Sequence, residues 1–246
     1  MSENIDKLIE DYVKKNEEII LEFKENKLHK EQLYINIDGI VNVKEWFKQE
    51  KKILFILKEA YHSDKTLTEY NLIHELSEYN PWGRIWQNIG KWSYGIRNTN
   101  KESIPDFDPF EDMAKDEVMK MLNDEINKIA VINIKKSNGK SKSDDDDLWK
   151  YAQADKDLLR KQIELINPNI VVCCSTFGYF NYIIDNEIDK KNNHCANWFY
   201  YTNDGTLVLD FYHPSNQWPI LMNYYSLCAI YQKALQSKEG VLHQYL

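Results

Sequence analysis

Short apolar runs alternate with stretches of helical periodicity along this chain. Four runs lack the polar alternation of a half-exposed strand and are typical of strands buried on both faces of a sheet; they lie at 52–57, 129–134, 170–174 and 206–211. Apolar positions at helical spacing predict helices at 3–25, 43–51, 68–79, 82–94, 110–128, 148–166 and 219–236. This order predicts an α/β fold, with a central, mostly parallel four-stranded sheet that helices flank on both faces.

The length and the apolar content favour one domain. The 246 residues, 43% of them hydrophobic, suit a large α/β domain with a sizeable core. We expect a single domain over 1–246, made of an N-terminal helical extension at 1–51 and a core at 52–235. The first residues lack a basic, apolar leader, and no run approaches the ~18 apolar residues of a membrane span. We therefore expect a cytoplasmic monomer with no membrane partner.

Charge and ligand-type residues narrow the chemistry further. The chain has 39 acidic against 31 basic residues and a net charge of −8, which argues against a surface that coats nucleic acid broadly. The six histidines show no paired metal spacing, so we expect no metal and no cofactor. The cysteines form no C-x-x-C pair and are interpreted as buried free thiols; they are Cys173, Cys174, Cys195 and Cys228.

Three chemistry-bearing residues stand at the ends of predicted strands. Glu59 follows the first apolar run, Asn133 ends the second, and His213 follows the fourth. Taken singly, a surface acid, a turn amide or a histidine before a proline would explain each of them. In a parallel sheet, however, all carboxyl ends open on one edge, so the three are expected to converge. A carboxylate, an amide and an imidazole together can activate water, read a planar ligand and stabilise a leaving group.

The motifs at these strand ends read KEAYH at 58–62, INIKK at 132–136, INPNIV at 166–171 and HPS at 213–215. Together they resemble the motifs of the uracil-DNA glycosylase superfamily. Departures also occur, since Ala60 stands where the family has proline, Lys58 replaces the common glutamine or glycine, and the iron–sulfur cysteine spacing is missing. The resemblance covers roughly residues 52–235 and implies a three-layer sandwich.

The resemblance also implies roles for individual residues. Glu59 would place or activate the hydrolytic water, and His213 would stabilise the departing base anion. Asn133 would hydrogen-bond the base edge, Tyr61 would wall the pocket, and Trp82 would stack on the base. Because a base in duplex DNA must be flipped out before its glycosidic bond is reached, stacking would repay part of the unpairing cost.

Contacts with the DNA backbone are expected just outside this pocket. Ser215 would hold a phosphate through its hydroxyl and backbone amide, and Trp218 is the candidate wedge. Lys135, Lys136 and Lys140 would form a flexible cationic loop along the phosphates, although a merely solvated loop explains the same composition.

The leading functional hypothesis is a monofunctional DNA glycosylase. It would hydrolyse the N-glycosidic bond of uracil or another modified pyrimidine, including a hypermodified phage base, in duplex or single-stranded DNA. Such an activity would serve base-excision repair or anti-phage defence. Two alternatives stay open: a catalytically inactive nucleic-acid- or base-binding module of the same fold, and a hydrolase of free nucleosides or nucleotides.

Overall fold

The helices and strands follow the predicted alternation. A computed structural model of the chain describes residues 2–30, 32, 34–62, 66–78, 83–188 and 198–242, with side chains from residue 5 to residue 237. The helices are α1 Ser2–Glu25, α2 Lys27–Lys30, α3 Val43–Trp46, α4 Leu72–Glu78, α5 Gly83–Asn98, α6 Pro109–Asp112, α7 Lys115–Ile126, α8 Asp145–Ala154, α9 Lys156–Ile166, α10 Phe177–Ile183 and α11 Ile220–Leu242. The strands are β1 Ile35–Ile37, β2 Gly39–Ile40, β3 Ile53–Glu59, β4 Glu69–Asn71, β5 Ala130–Lys135, β6 Ile170–Cys174, β7 Phe199–Tyr201 and β8 Leu207–Phe211.

The main sheet has six strands in the order β2-β5-β3-β6-β8-β7. Its four central strands are parallel, while β2 and β7 pair antiparallel at the two edges. The α/β class is confirmed, but the expected number of four strands is wrong. The two edge strands were missed because they are only 2 and 3 residues long, too short for a recognisable apolar run. A separate parallel pair joins β1 to β4, so the helix predicted at 68–79 begins only at Leu72.

Helices cover both faces of this sheet because side chains along each buried strand alternate between two apolar clusters. Leu54 and Ile56 of β3 point into the cluster that α1, α8, α9 and α10 complete. Phe55 and Leu57 point into the opposite cluster, which α4, α5 and α11 complete. Each fully buried side chain of this size contributes roughly 1.5–3 kcal/mol through removal from water. The sheet is therefore covered by helices on both faces.

The N-terminal residues contribute to the same core. The helix expected at 3–25 is confirmed as α1, and its Tyr12 and Phe23 are buried in the first cluster. The Tyr12 hydroxyl accepts a hydrogen bond from the backbone N–H of Ile40 at 2.9 Å. Gly39 is needed beside it, because it has φ of 141° and a Cβ there would lie 2.6 Å from the Tyr12 hydroxyl.

The thiols of Cys173, Cys174 and Cys228 are buried, as expected, and form no disulfide, while Cys195 lies outside the described residues. Burial raises the pKa of the Cys228 thiol to about 12, so this group stays protonated at neutral pH. In the described part of the chain, none of the helices combines the length and the apolar character that crossing a membrane requires.

Candidate functional site

The carboxyl edge of the sheet contains the point where the strand order reverses. From β3 the chain continues to β5 on one side, whereas from β6 it continues to β8 on the other. Open α/β sheets bind ligands in the crevice at such a reversal. The residues at this edge are Lys58 and Glu59 of β3, Lys135 of β5, Ser175 after β6 and His213 after β8.

Glu59 is enclosed but has no hydrogen-bond partner among the described residues. Its side chain is 2% exposed, and neither carboxylate oxygen accepts a hydrogen bond from that part of the chain. Its described ion-pair partner is Lys135, its direct neighbour in the strand register, whose Nζ lies 3.8 Å from Oε2. Buried polar atoms are almost always paired, so this carboxylate has lone pairs available for the proton of a water or a ligand.

The chain after β5 closes over Glu59. The backbone N–H of Gly139 donates to the Ala60 carbonyl at 2.7 Å, and the Tyr34 hydroxyl donates to the same oxygen at 3.1 Å. A Cβ at position 139 would lie 2.8 Å from Glu59 Cγ, so only glycine allows this approach. The backbone at Gly139 therefore forms a cover over the Glu59 side chain.

His213 is held as a neutral imidazole. The backbone N–H of Ser215 donates to Nδ1 at 3.3 Å, and the Ser215 hydroxyl lies 2.8 Å from the same nitrogen. Because a backbone N–H can only donate, Nδ1 is an acceptor and the ring carries its proton on Nε2. Burial, together with the positive charge of Lys58, lowers the pKa of His213 to about 4. At neutral pH the ring is thus an uncharged hydrogen-bond donor.

Several side chains that the sequence analysis missed fix the His213 segment. The backbone N–H of His213 donates to Ser175 Oγ at 2.9 Å, and the buried Asn88 donates from Nδ2 to the Pro214 carbonyl at 2.7 Å. Asn216 closes the turn by donating from Nδ2 to the His213 carbonyl at 2.8 Å. Ser175 was recognisable as the residue after a predicted strand. Asn88 carried one weaker signal, a polar side chain on the buried face of an amphipathic helix.

Lys58 at the end of β3 pairs with Asp145 of α8. Its Nζ donates to Asp145 Oδ1 at 3.1 Å, and the Tyr179 hydroxyl donates to the same carboxylate at 3.2 Å. The positive charge of Lys58 also helps to lower the pKa of His213. Glu59 lies at the end of β3 and His213 lies just after β8, and these two strands flank β6. The structure therefore brings both residues to the same edge of the sheet, without a direct hydrogen bond between them.

Asn133 occupies a different environment from the one expected. Its residue exposure is 1%, and both its backbone N–H and its Nδ2 donate to Asp38 Oδ2, at 2.8 and 3.3 Å. Its Oδ1 has no partner among the described residues. No hydrogen bond or ion pair between described side chains joins Asn133 to Glu59 or to His213. Glu59 and His213 therefore share the carboxyl edge of the sheet, whereas the Asn133 amide lies beneath the surface.

The surface position expected for two lysines is wrong. Lys135 is buried against Asp147, with Nζ 2.8 Å from Oδ2, and Lys136 is buried against Asp38, with Nζ 2.6 Å from Oδ1. Burial lowers the pKa of Lys136 even though Asp38 opposes the shift. Because both lysine side chains are buried and each ammonium group is paired with a carboxylate, neither can follow a phosphate backbone. Lys140 does lie at the surface, with its side chain 53% exposed.

Two of the remaining candidates, Tyr61 and Trp218, lie at the surface. Tyr61 is 57% exposed and Trp218 is 56% exposed, while Trp82 lies outside the described residues. The two groups of Ser215 that were expected to hold a phosphate bind the His213 ring instead, which corrects that interpretation. Within the described ranges, no cluster of three His, Cys, Asp or Glu side chains has the arrangement of a metal site.

Comparisons of this chain with protein-family models, with curated proteins and with solved structures give no match. No relative therefore supplies a function, and the residues at the carboxyl edge of the sheet carry the functional argument.

Proposed function

We propose that the protein hydrolyses the N-glycosidic bond of a modified pyrimidine, uracil included, in DNA from which the base has been flipped out. One observation carries the proposal: the buried Glu59 carboxylate, whose oxygens accept no hydrogen bond from a described residue, shares a sheet edge with the neutral imidazole of His213. The motif resemblance to the uracil-DNA glycosylase superfamily and the helices on both faces of the sheet agree with this choice.

The proposed reaction assigns one proton transfer and one charge to these two groups. Glu59 accepts a proton from water, and the water oxygen forms a bond to the sugar carbon that holds the base. The bond from that carbon to the base nitrogen breaks, and its electron pair leaves with the base. The Nε2–H of His213 donates a hydrogen bond to the base oxygen on which negative charge develops.

The protonation state of His213 suits this task. Because its pKa is lowered to about 4, the ring is already neutral at physiological pH and can donate a hydrogen bond without first losing a proton. The Ser215 contacts hold the tautomer in which Nε2 carries the proton. The imidazole therefore enters the reaction already in the required form.

The environment of Lys58 bears on the choice of base. Its side chain is 23% exposed and is held by Asp145, at a position where the resembled family has a smaller or uncharged residue. An ammonium group there favours a pyrimidine with a polar substituent over unmodified uracil. The proposed substrate class therefore includes hypermodified bases such as those of phage DNA.

Burial of Lys135 and Lys136 favours a second candidate function. The loss of these two cations from the surface weakens the expected contact with a phosphate backbone on a chain of net charge −8. Hydrolysis of a free nucleoside or nucleotide would use the same Glu59 and His213 chemistry without that contact. The two candidates differ in their dependence on salt, because only backbone binding releases many counterions.

A base-release assay tests both candidates. Single-stranded and duplex oligonucleotides carrying a panel of modified pyrimidines, and the matching free nucleosides, are incubated with the protein, and released bases are measured by mass spectrometry. We expect release by the unmodified chain and a loss of about 100-fold or more in Glu59→Gln, since positioned acid–base groups contribute on that order.

The outcomes separate the candidates. Release from nucleosides only, with an affinity that salt barely changes, selects the second function over the first. DNA binding that persists in Glu59→Gln, with no base released by either protein, means a binding module and overturns the proposed hydrolysis. Absence of both release and binding overturns all three interpretations.

A further inference from the structure

Lys135 lies between two carboxylates of unequal exposure. Its Nζ is 2.8 Å from Asp147 Oδ2 and 3.8 Å from Glu59 Oε2. The Asp147 side chain is 25% exposed, whereas the side chain of Lys135 is 4% exposed and that of Glu59 is 2% exposed. The three charged groups therefore extend from the surface to the enclosed carboxylate. The ammonium also lies 4.6 Å from the centroid of the Tyr151 ring, which faces it from α8.

Asp147 is held in place independently of Glu59. It lies in the first turn of α8, where its backbone N–H donates to the N-cap side chain of Asp144. Lys140 Nζ lies 3.6 Å from Asp147 Oδ2 on the solvent side. Burial raises the pKa of Asp147, but the hydrogen bond and charge of Lys135, helped by Lys140, outweigh it and leave the pKa below its usual range.

Two other described groups that face Glu59, Tyr34 and Gly139, carry no positive charge. Tyr34, from the segment before β1, interacts electrostatically with Glu59 and has a pKa raised chiefly by its own burial. Gly139 contributes only backbone to the cover. Among the residues that the structure describes, Lys135 is the one cation in an ion pair with Glu59.

We infer that Lys135 is the positioning residue that holds the Glu59 carboxylate in place, and that Asp147 competes with Glu59 for the same ammonium group. The catalytic consequence rests on the proposed hydrolysis, whereas the relation between the three charges does not. When Glu59 accepts the proton from water, its charge is lost and the ammonium keeps Asp147 as its partner. Asp147 therefore limits how tightly Lys135 binds the charged form of Glu59.

The competition predicts opposite effects from two substitutions. Lys135→Met removes the only described cation paired with Glu59, so Glu59 should take up its proton at a higher pH than in the unmodified chain. Asp147→Asn frees the ammonium for Glu59, so the proton should be taken up at a lower pH. We expect each change to be about one pH unit, which is a tenfold change in the ionised fraction.

The experiment follows the Glu59 carboxyl carbon by NMR in protein labelled with ¹³C-glutamate, and the spectrum of Glu59→Gln assigns the signal. Asp146→Asn is the matched control, because Asp146 lies exposed in the same helical turn and forms no ion pair with a described residue. Lys135→Arg should restore most of the unmodified behaviour because it keeps the charge. In the base-release assay, Lys135→Met should lower kcat about tenfold at fixed pH with little change in KM, and should move the acid side of the rate profile to higher pH.

Failure of the inference and failure of the proposed function give different results. Opposite NMR shifts in Lys135→Met and Asp147→Asn, without any base release, support the charge relation and count against hydrolysis. Base release with no NMR shift in either variant overturns the positioning role and leaves hydrolysis standing. If Lys135→Met does not fold, Asp147→Asn decides alone, and a shift to higher pH or no shift in that variant overturns the inference.

Discussion

The backbone N–H of Ser215 donates to Nδ1 of His213 at 3.3 Å, and the Ser215 hydroxyl lies 2.8 Å from the same atom. A two-residue contact thus determines which ring nitrogen carries the proton. Since the imidazole is also partly buried beside Lys58, the folded protein favours its neutral form. This preference has a consequence for stability as well as for chemistry.

The free energy of unfolding should fall as the pH falls through the range in which the protonation of His213 differs between the folded and unfolded states. The pKa of His213 is lowered from 6.5 to about 4 in the folded protein, so between these values the unfolded chain binds more protons. The contribution of His213 to the free energy of unfolding is therefore fully present above pH 6.5 and is lost progressively as the pH falls toward 4. Urea unfolding at several pH values should show a weaker acid dependence in His213→Gln than in the unmodified chain. Equal acid dependence in both proteins would contradict the lowered pKa.

Asn88 should stabilise the His213 segment from helix α5. Its Nδ2 donates to the Pro214 carbonyl at 2.7 Å in a buried position, so Asn88→Ala leaves that carbonyl without its partner. We expect a loss of about 1–3 kcal/mol in the free energy of unfolding. Asn98→Ala is the matched control, because Asn98 donates to the Tyr94 carbonyl from an exposed site near the end of the same helix. Its effect should stay within about 0.5 kcal/mol, and equal losses in the two variants would argue against the role of Asn88.

Gly139 should be required for the cover over Glu59. A Cβ there would lie 2.6 Å from the Ala60 carbonyl oxygen and 2.8 Å from Glu59 Cγ, so Gly139→Ala forces the backbone apart. We expect a destabilisation of about 1–3 kcal/mol, measured by urea unfolding, because overpacking has effects of that size.

Gly178→Ala provides the comparison for this substitution. Its Cβ would meet only Trp149 Cζ2 at 3.8 Å inside helix α10, where alanine is the better helix former. We expect unchanged or slightly higher stability. If Gly139→Ala behaves like Gly178→Ala, the segment after β5 does not press on Glu59 as the structure shows.

The central strands were predictable because burial on both faces leaves a continuous apolar run, as in Ile170–Cys174, which matches the predicted strand residue for residue. The edge strands were not predictable. Gly39 and Ile40 form a strand because they pair with β5, and their own sequence has no strand pattern. The predicted helix at 148–166 is two helices that meet at Asp155. That residue binds His29 across the core, a tertiary contact that no local periodicity reveals.

The candidate site was predictable at two of its three strand ends. Glu59 and His213 were recognisable because each follows a buried strand, and the carboxyl ends of parallel strands share an edge. The burial of Asn133 was not predictable, because it depends on Asp38, a residue far away in sequence that carries no motif. The surface prediction for Lys135 and Lys136 was wrong for a related reason. Their sequence composition is typical of a cationic loop, but their positions at the end of β5 and just after it, fixed by its strand register, place each ammonium group next to a carboxylate.

The ion pair of Lys136 with Asp38 should be one of the larger single contributions to stability. The side chains of both residues are fully buried, and Asp38 also accepts from Asn133 and Gln162. Lys136→Met leaves a buried carboxylate without its counter-charge, for which we expect a loss of about 3–5 kcal/mol in the free energy of unfolding. Lys161→Met is the control, because its pair with Glu22 is about half exposed and should contribute under about 1 kcal/mol.

A double-mutant cycle separates the ion pair from the burial of each group. Asp38→Asn in the Lys136→Met background removes the unpaired charge while keeping the shape and an acceptor oxygen. We therefore expect the double variant to be more stable than the sum of the single losses predicts, by about 1–3 kcal/mol. Urea unfolding of the four proteins measures this coupling. Additive losses would mean that Lys136 stabilises the fold through packing against Phe23, whose ring centroid is 5.3 Å from its Nζ, and not through Asp38.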